Sequence, residues 1–186
     1  MITTEKLTEL RDRAYRAACD KGFHDEQKPD AVYKMLIITE IAEAVQADRK
    51  GRRVTRKARE DYEQFMEAYN DISITMYESA ISGTLEDELA DIIIRMLDYC
   101  GMKEIGFDNG IEYNDFPFNH FDFLNKSFPE VMLGFCKRAA ASFFDMGFLL
   151  RIIFYYCESL GIDILWFVEM KMRYNESRPK MHNRKY

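Results

Sequence analysis

Two pairs of acids in this chain share a spacing that can do chemistry. Glu40 and Glu43 stand three residues apart in LIITEIAEAVQ, and Glu88 and Asp91 repeat the interval in ELADIIIRMLDYC. On a helix, residues i and i+3 share a face, so each pair points two carboxylates into one space. Wound at about 100° per residue, the first segment puts Glu40 among Leu36, Ile37, Ala44 and Ala47, in the middle of an apolar stripe. A carboxylate facing a core costs several kcal/mol unless a cation or hydrogen bonds compensate it. Something positive is expected there. Two such helices packed antiparallel at roughly 8–10 Å would gather all four acids. Four oxygen ligands with room for water and phosphate suit Mg2+ better than a softer metal. The competing reading is a pair of solvated acidic faces, with Asp91 paired to Arg95 one turn further on.

A second constellation lies near the C-terminus, where Lys171, Asn175 and Arg178 fall at offsets 0, +4 and +7. On a continuous helix they occupy one arc of about 60°, a cation, an amide and a guanidinium suited to a polyphosphate chain. The alternative is a basic helix end, which the macrodipole favours by itself. From 49 to 59 the chain carries Arg49, Lys50, Arg52, Arg53, Arg56, Lys57 and Arg59. That run reads as a solvated connector or as a loop that steers anionic substrate. Phe23, His24 and Trp166 are either base-stacking groups or core. None of the three histidines completes a Glu-x-x-His motif, which sets aside a ferritin-like di-iron site.

The elements that must hold these residues are helices. Apolar residues recur at helical period and no run alternates strictly, so the fold class is all-α. Thr3 or Thr4 is expected to cap a helix ending near Asp20, with a loop across KGFHDEQKPD. Asp30 is expected to cap a helix from Ala31 to about Lys50. Gly51 ends it, and an excursion follows with a helical stretch over Tyr62 to Ala80. Thr84, followed by Glu86, Asp87 and Glu88, starts a third main helix that stops at Gly101. A long helix from Pro129 to Leu160, kinked near Gly147, and a last one from Ile162 to Ser177 complete the set. The aromatic stretch 104–127 suits an ordered loop.

At 186 residues and 22.0 kDa the chain reads as a single domain, 1–186. Its formal charge of −6 argues against a general nucleic-acid binder. With hydrophobic residues at 47% and aromatics at 14%, it is neither disordered nor fibrous. Cys19, Cys100, Cys136 and Cys157 are scattered without CxxC pairing, as expected of reduced thiols in the cytoplasm. The charged N-terminal stretch offers no signal-peptide core. The most apolar segment, Ala139 to Cys157, contains Asp145 and Arg151. Each would cost about 2.5–3.5 kcal/mol at mid-bilayer, so no membrane span is expected. The apolar load of Phe143 to Cys157 instead points to an interface in a homo-oligomer.

The motifs EIAE at 40–43 and ELAD at 88–91, with KGFH at 21–24, LIITEIAEAVQADRKG at 36–51 and LEDELADIIIRMLDYCG at 85–101, resemble the MazG-like all-α nucleoside triphosphate pyrophosphohydrolases. The similarity covers two separated blocks. The 44 residues from 44 to 87 exceed the gap of the short family forms, so 51–82 and 104–127 stand as insertions. The resemblance implies a helical bundle of the all-α NTP pyrophosphatase type, completed by dimerisation or by pairing of dimers. It implies Mg2+ held by Glu40, Glu43, Glu88 and Asp91, one of which would also orient or deprotonate water. It further implies hydrolysis of an NTP or dNTP to monophosphate and pyrophosphate, with Lys171, Asn175 and Arg178 on the phosphates. The alternative is a helical module that binds nucleotide or a partner without turnover.

Overall fold

The computed structural model describes residues 2–107, 125–141 and 145–180. Among them are eight α-helices and no strand: α1 (Thr4–Asp20), α2 (Asp30–Arg49), α3 (Arg56–Tyr69), α4 (Ile74–Ala80), α5 (Leu85–Met102), α6 (Phe128–Ala140), α7 (Met146–Ser159) and α8 (Ile164–Ser177). The fold is all-α. Most of the aromatic stretch, Phe143, Phe144 and the tail beyond Lys180 lie outside the described residues.

α5 is the axis of the bundle. Leu85, Leu89, Ala90, Ile92, Ile93, Met96, Leu97 and Cys100 are all buried, so it is apolar nearly all round and must be wrapped on several sides. α1, α2 and α8 supply most of that wrapping, α7 part of it, and α6 covers α2. Contacts at both ends fix α2 and α5 as antiparallel. The Leu85 amide donates to the Arg52 carbonyl just past the end of α2. At the other end Tyr99 donates to Asp30 at 3.2 Å and Lys103 pairs with it at 2.6 Å. One connected core includes residues from all eight helices.

The caps at Thr3 and Thr84 form as expected, each hydroxyl accepting a backbone N–H of the first turn. Four expectations fail for local reasons. Asp30 is the first residue of α2 rather than its cap, because its carboxylate is taken by Tyr99 and Lys103. The excursion holds two helices, divided where Asn70 ends α3 in the left-handed conformation at φ 50°. The expected long helix is also two, since Asp145 caps a new start by accepting from the Gly147 and Phe148 amides. Gly101 lies inside α5 rather than after it.

Gly101 is required by contact. A Cβ built there would lie 2.5 Å from Cβ of Tyr15 on α1. Gly101→Ala should therefore force the two helices apart and destabilise the fold by about 1–3 kcal/mol, read as a lower denaturant midpoint. An unchanged midpoint would mean that α1 yields freely.

The apolar residues of α7, including Leu149, Leu150, Ile152, Ile153 and Phe154, are buried by the chain itself. The described part of this helix thus needs no second copy to cover it. No described helix is long and apolar enough to cross a membrane, and all four cysteines are unbridged.

Candidate active site

Antiparallel packing brings Glu40 and Glu43 of α2 up to Glu88 of α5. Glu40, Glu43 and Glu88 each offer a ligand atom within 4.8 Å of the others. Glu40 is buried, Glu88 half-buried and Glu43 exposed, so the cluster opens from the core outward. Asp91 is not one of this group. Its carboxylate pairs at 2.7 Å with the Lys171 Nζ, while Arg95 donates from Nε to Glu40 at 3.1 Å. The pairing of Asp91 with Arg95 weighed from sequence is replaced by two interhelical pairs. The positive group demanded by a mid-stripe carboxylate is thus Arg95.

Crowded carboxylates in a half-dry space hold protons. Burial, then the neighbouring Asp91, pushes Glu40 up to about 7, with Arg95 pulling the other way. Burial and the Asp91 and Asp87 charges push Glu88 up to about 8. A cation would replace those protons, and hard oxygen donors at this spacing fit a divalent ion of the Mg2+ type.

An acid raised in the folded state stays protonated there after its unfolded counterpart has ionised. Stability therefore falls as pH climbs from the unfolded pKa, about 4.5, through the folded values of about 7 and 8. In a chelator, the melting temperature should drop by roughly 6–12 °C between about pH 5 and pH 8.5, for on the order of 3 kcal/mol. The share of Glu88 is discounted in that figure because solvent reaches it. The double variant Glu40→Gln/Glu88→Gln should flatten the slope, and millimolar Mg2+ should reverse it in wild type. Equal slopes in both proteins would reduce the cluster to ordinary surface acids.

Lys171 is 5% exposed and enclosed by acid. Its Nζ lies 2.9 Å from both Asp87 oxygens and 2.7 Å from Asp91. Burial by itself would lower its pKa, but Asp91 and Asp87 overcome this and hold it above the ordinary lysine value. Asp87 is satisfied further by the Tyr77 hydroxyl at 2.5 Å and the Gly83 amide at 2.9 Å. Sequence reading missed Asp87 and Tyr77. Asp87 looks like one more acid at a helix start, and only the tertiary fold brings Tyr77 to it.

The C-terminal trio consequently divides. Asn175 and Arg178 line an open cleft that Lys171 does not line. Arg178 also lies beyond the end of α8, in extended backbone. The cavity is walled by Ala14, Ala17 and Ala18 of α1, by Phe23, and by Glu40, Asp91, Ile94, Arg95 and Asp98. It abuts the acid cluster through Glu40. Three alanines and a buried phenyl ring make room for something flat and partly apolar.

His24 pairs with Asp98 at 2.7 Å and stacks on Tyr33 with ring centroids 5.6 Å apart. Trp166 is edge-on to Tyr62 at 6.1 Å and covered by the Arg59 guanidinium at 4.6 Å, so it belongs to the packing around α3. Of the basic run, Arg56 and Lys57 pair with acids one turn on along α3, while Arg53 reaches the buried Glu86 and Arg59 pairs with Glu63 and Asp163. No protein-family model, no curated protein and no solved structure matches the chain.

Proposed function

We propose that this protein is a Mg2+-dependent nucleoside triphosphate pyrophosphohydrolase of the MazG-like all-α type, converting an NTP or dNTP to its monophosphate and pyrophosphate. The observation that carries the reading is the convergence of Glu40, Glu43 and Glu88 within 4.8 Å beside an open cleft. The sequence spacing of the Glu-x-x-Glu and Glu-x-x-Asp motifs supports it. Glu40, Glu43 and Glu88 would hold the cation, with Asp91, fixed by Lys171, next to them. The ion supplies charge neutralisation of the phosphate oxygens and a water of lowered pKa. Glu40 and Glu88 give up their protons when the ion binds. Phe23 and the alanine wall of α1 pack the nucleoside, and Asn175 presents an amide to it.

The test is pyrophosphate release from a panel of ribo- and deoxyribonucleoside triphosphates with Mg2+ and, separately, with excess EDTA. Turnover abolished by EDTA supports the assignment. Binding without turnover would move the chain to the non-catalytic nucleotide-binding class, and a rate indifferent to EDTA would remove the metal. The motif resemblance also carries a cytoplasmic homodimer or homotetramer with it. Sedimentation at micromolar protein should then give a multiple of 22.0 kDa, and the monomer mass would remove that part of the proposal.

A further inference from the structure

The cavity beside the acid cluster contains a cation that the motif spacing does not single out. Arg95, on α5 between Asp91 and Asp98, lines it together with Asn175 and Arg178. Its side chain is 17% exposed, and Nε donates to Glu40 at 3.1 Å. The guanidinium carbon sits 5.4 Å from the centre of the Phe23 ring. An arginine presents five N–H donors in a planar fork, and the Glu40 contact uses one. The two terminal nitrogens find no acceptor among the described residues. Those terminal groups reach the open side of the cavity, whereas the Oδ1 atom of Asn175 is buried without a hydrogen-bond partner. Buried donors and acceptors are matched almost everywhere in folded proteins. The unmatched Asn175 oxygen and the uncommitted Arg95 donors belong to residues that line the same cavity, and a polar ligand there would serve both.

Resting on the hydrolase reading above, we infer that Arg95, rather than Lys171, grips the phosphate attached to the nucleoside. The ligand class is a nucleoside 5′-monophosphate moiety, the part common to the substrate and one product. The Lys171 ammonium is already committed to Asp87 and Asp91 and does not line the cavity. Arg95 has free donors, a rigid fork that matches two phosphate oxygens at once, and a fixed place. Through Glu40 it touches the acid cluster, and over Phe23 it borders the space for a base. A phosphate held on that fork lies next to the candidate cation ligands, where the scissile anhydride has to be. Glu40 has two oxygens, so it can keep Arg95 in place and still serve a metal.

The experiment is calorimetric titration of the full chain, in EDTA, with each common ribo- and deoxyribonucleoside 5′-monophosphate and with each parent nucleoside. Wild type is expected to bind at least one monophosphate more tightly than its nucleoside. Arg95→Gln should weaken that monophosphate roughly 10- to 150-fold, the range for losing charge-assisted contacts, and leave the nucleoside unchanged. Arg95→Lys keeps the charge beside Glu40 but loses the fork, and should give a smaller loss in the same direction. It decides the matter if Arg95→Gln fails to fold. The inference is overturned if wild type prefers no monophosphate over its nucleoside, or if the folded variants bind the monophosphate as wild type does. Because binding is read without a divalent ion, absence of pyrophosphate release with the Arg95 dependence intact would discard the hydrolase reading alone. Turnover with unchanged monophosphate binding in both variants would discard this inference alone.

Discussion

Glu40→Gln should lower Mg2+-dependent pyrophosphate release by roughly 100- to 1000-fold or more, the scale for losing one strong electrostatic contact to a reacting phosphate. The fold should survive. The glutamine oxygen can accept from Arg95 Nε as the carboxylate does at 3.1 Å, and with a pKa of about 7 Glu40 already carries a proton part of the time at neutral pH. The change in stability near pH 7 should therefore stay within about 1 kcal/mol, and above pH 8 the variant should be the more stable protein, since it cannot ionise. Glu40→Asp retains the charge but withdraws it by one methylene, and an intermediate rate is expected if position as well as charge matters. Full activity in folded Glu40→Gln would falsify the assignment of Glu40 as a metal ligand and leave Glu43 and Glu88 as two acids on facing helices.

What the sequence allowed and what it hid divide along the range of the interactions. Helix starts at Thr3 and Thr84 are local events between a hydroxyl and an amide three residues away, so they can be read residue by residue. The face shared by Glu40 and Glu43 is likewise a consequence of helical pitch. Local preference misleads where a tertiary partner overrides it. Asp30 would cap a free helix, but Lys103 and Tyr99 reach it from the far end of α5. Gly101 looks like a terminator until Tyr15 of α1 occupies the space its side chain would fill. Arg95 presents the same difficulty at the site. The acid one turn away along its own helix, Asp91, is the obvious partner, yet the fold sends Arg95 to Glu40 and gives Asp91 to Lys171, a residue far along the chain. Stripe geometry could show that Glu40 needs a cation. Which cation it receives is decided by how α2, α5 and α8 pack.

Lys171→Met should destabilise the fold by about 3–5 kcal/mol, because it removes the only cation hydrogen-bonded to Asp87 among the described residues and leaves that buried carboxylate uncompensated beside Asp91. The spacing of Lys171, Asn175 and Arg178 points instead to a phosphate grip, and loss of such a contact would cost turnover rather than stability. The two accounts separate in a denaturation experiment without any substrate. They also separate by pH. Burial already raises the Asp87 pKa despite the opposing pull of Lys171, and loss of the ammonium should raise it further. Carboxylates with raised folded pKa values destabilise above those values and cease to do so once protonated. The deficit of Lys171→Met relative to wild type should thus be largest at alkaline pH, where Asp87 is ionised, and shrink as pH falls and Asp87 takes up a proton, and Lys171→Met/Asp87→Asn should recover part of it. Asn at 87 can still accept from the Tyr77 hydroxyl, so that recovery isolates the charge from the hydrogen bond. A Lys171→Met protein as stable as wild type at pH 8 would return Lys171 to the solvent side of the site and restore it as a candidate phosphate contact.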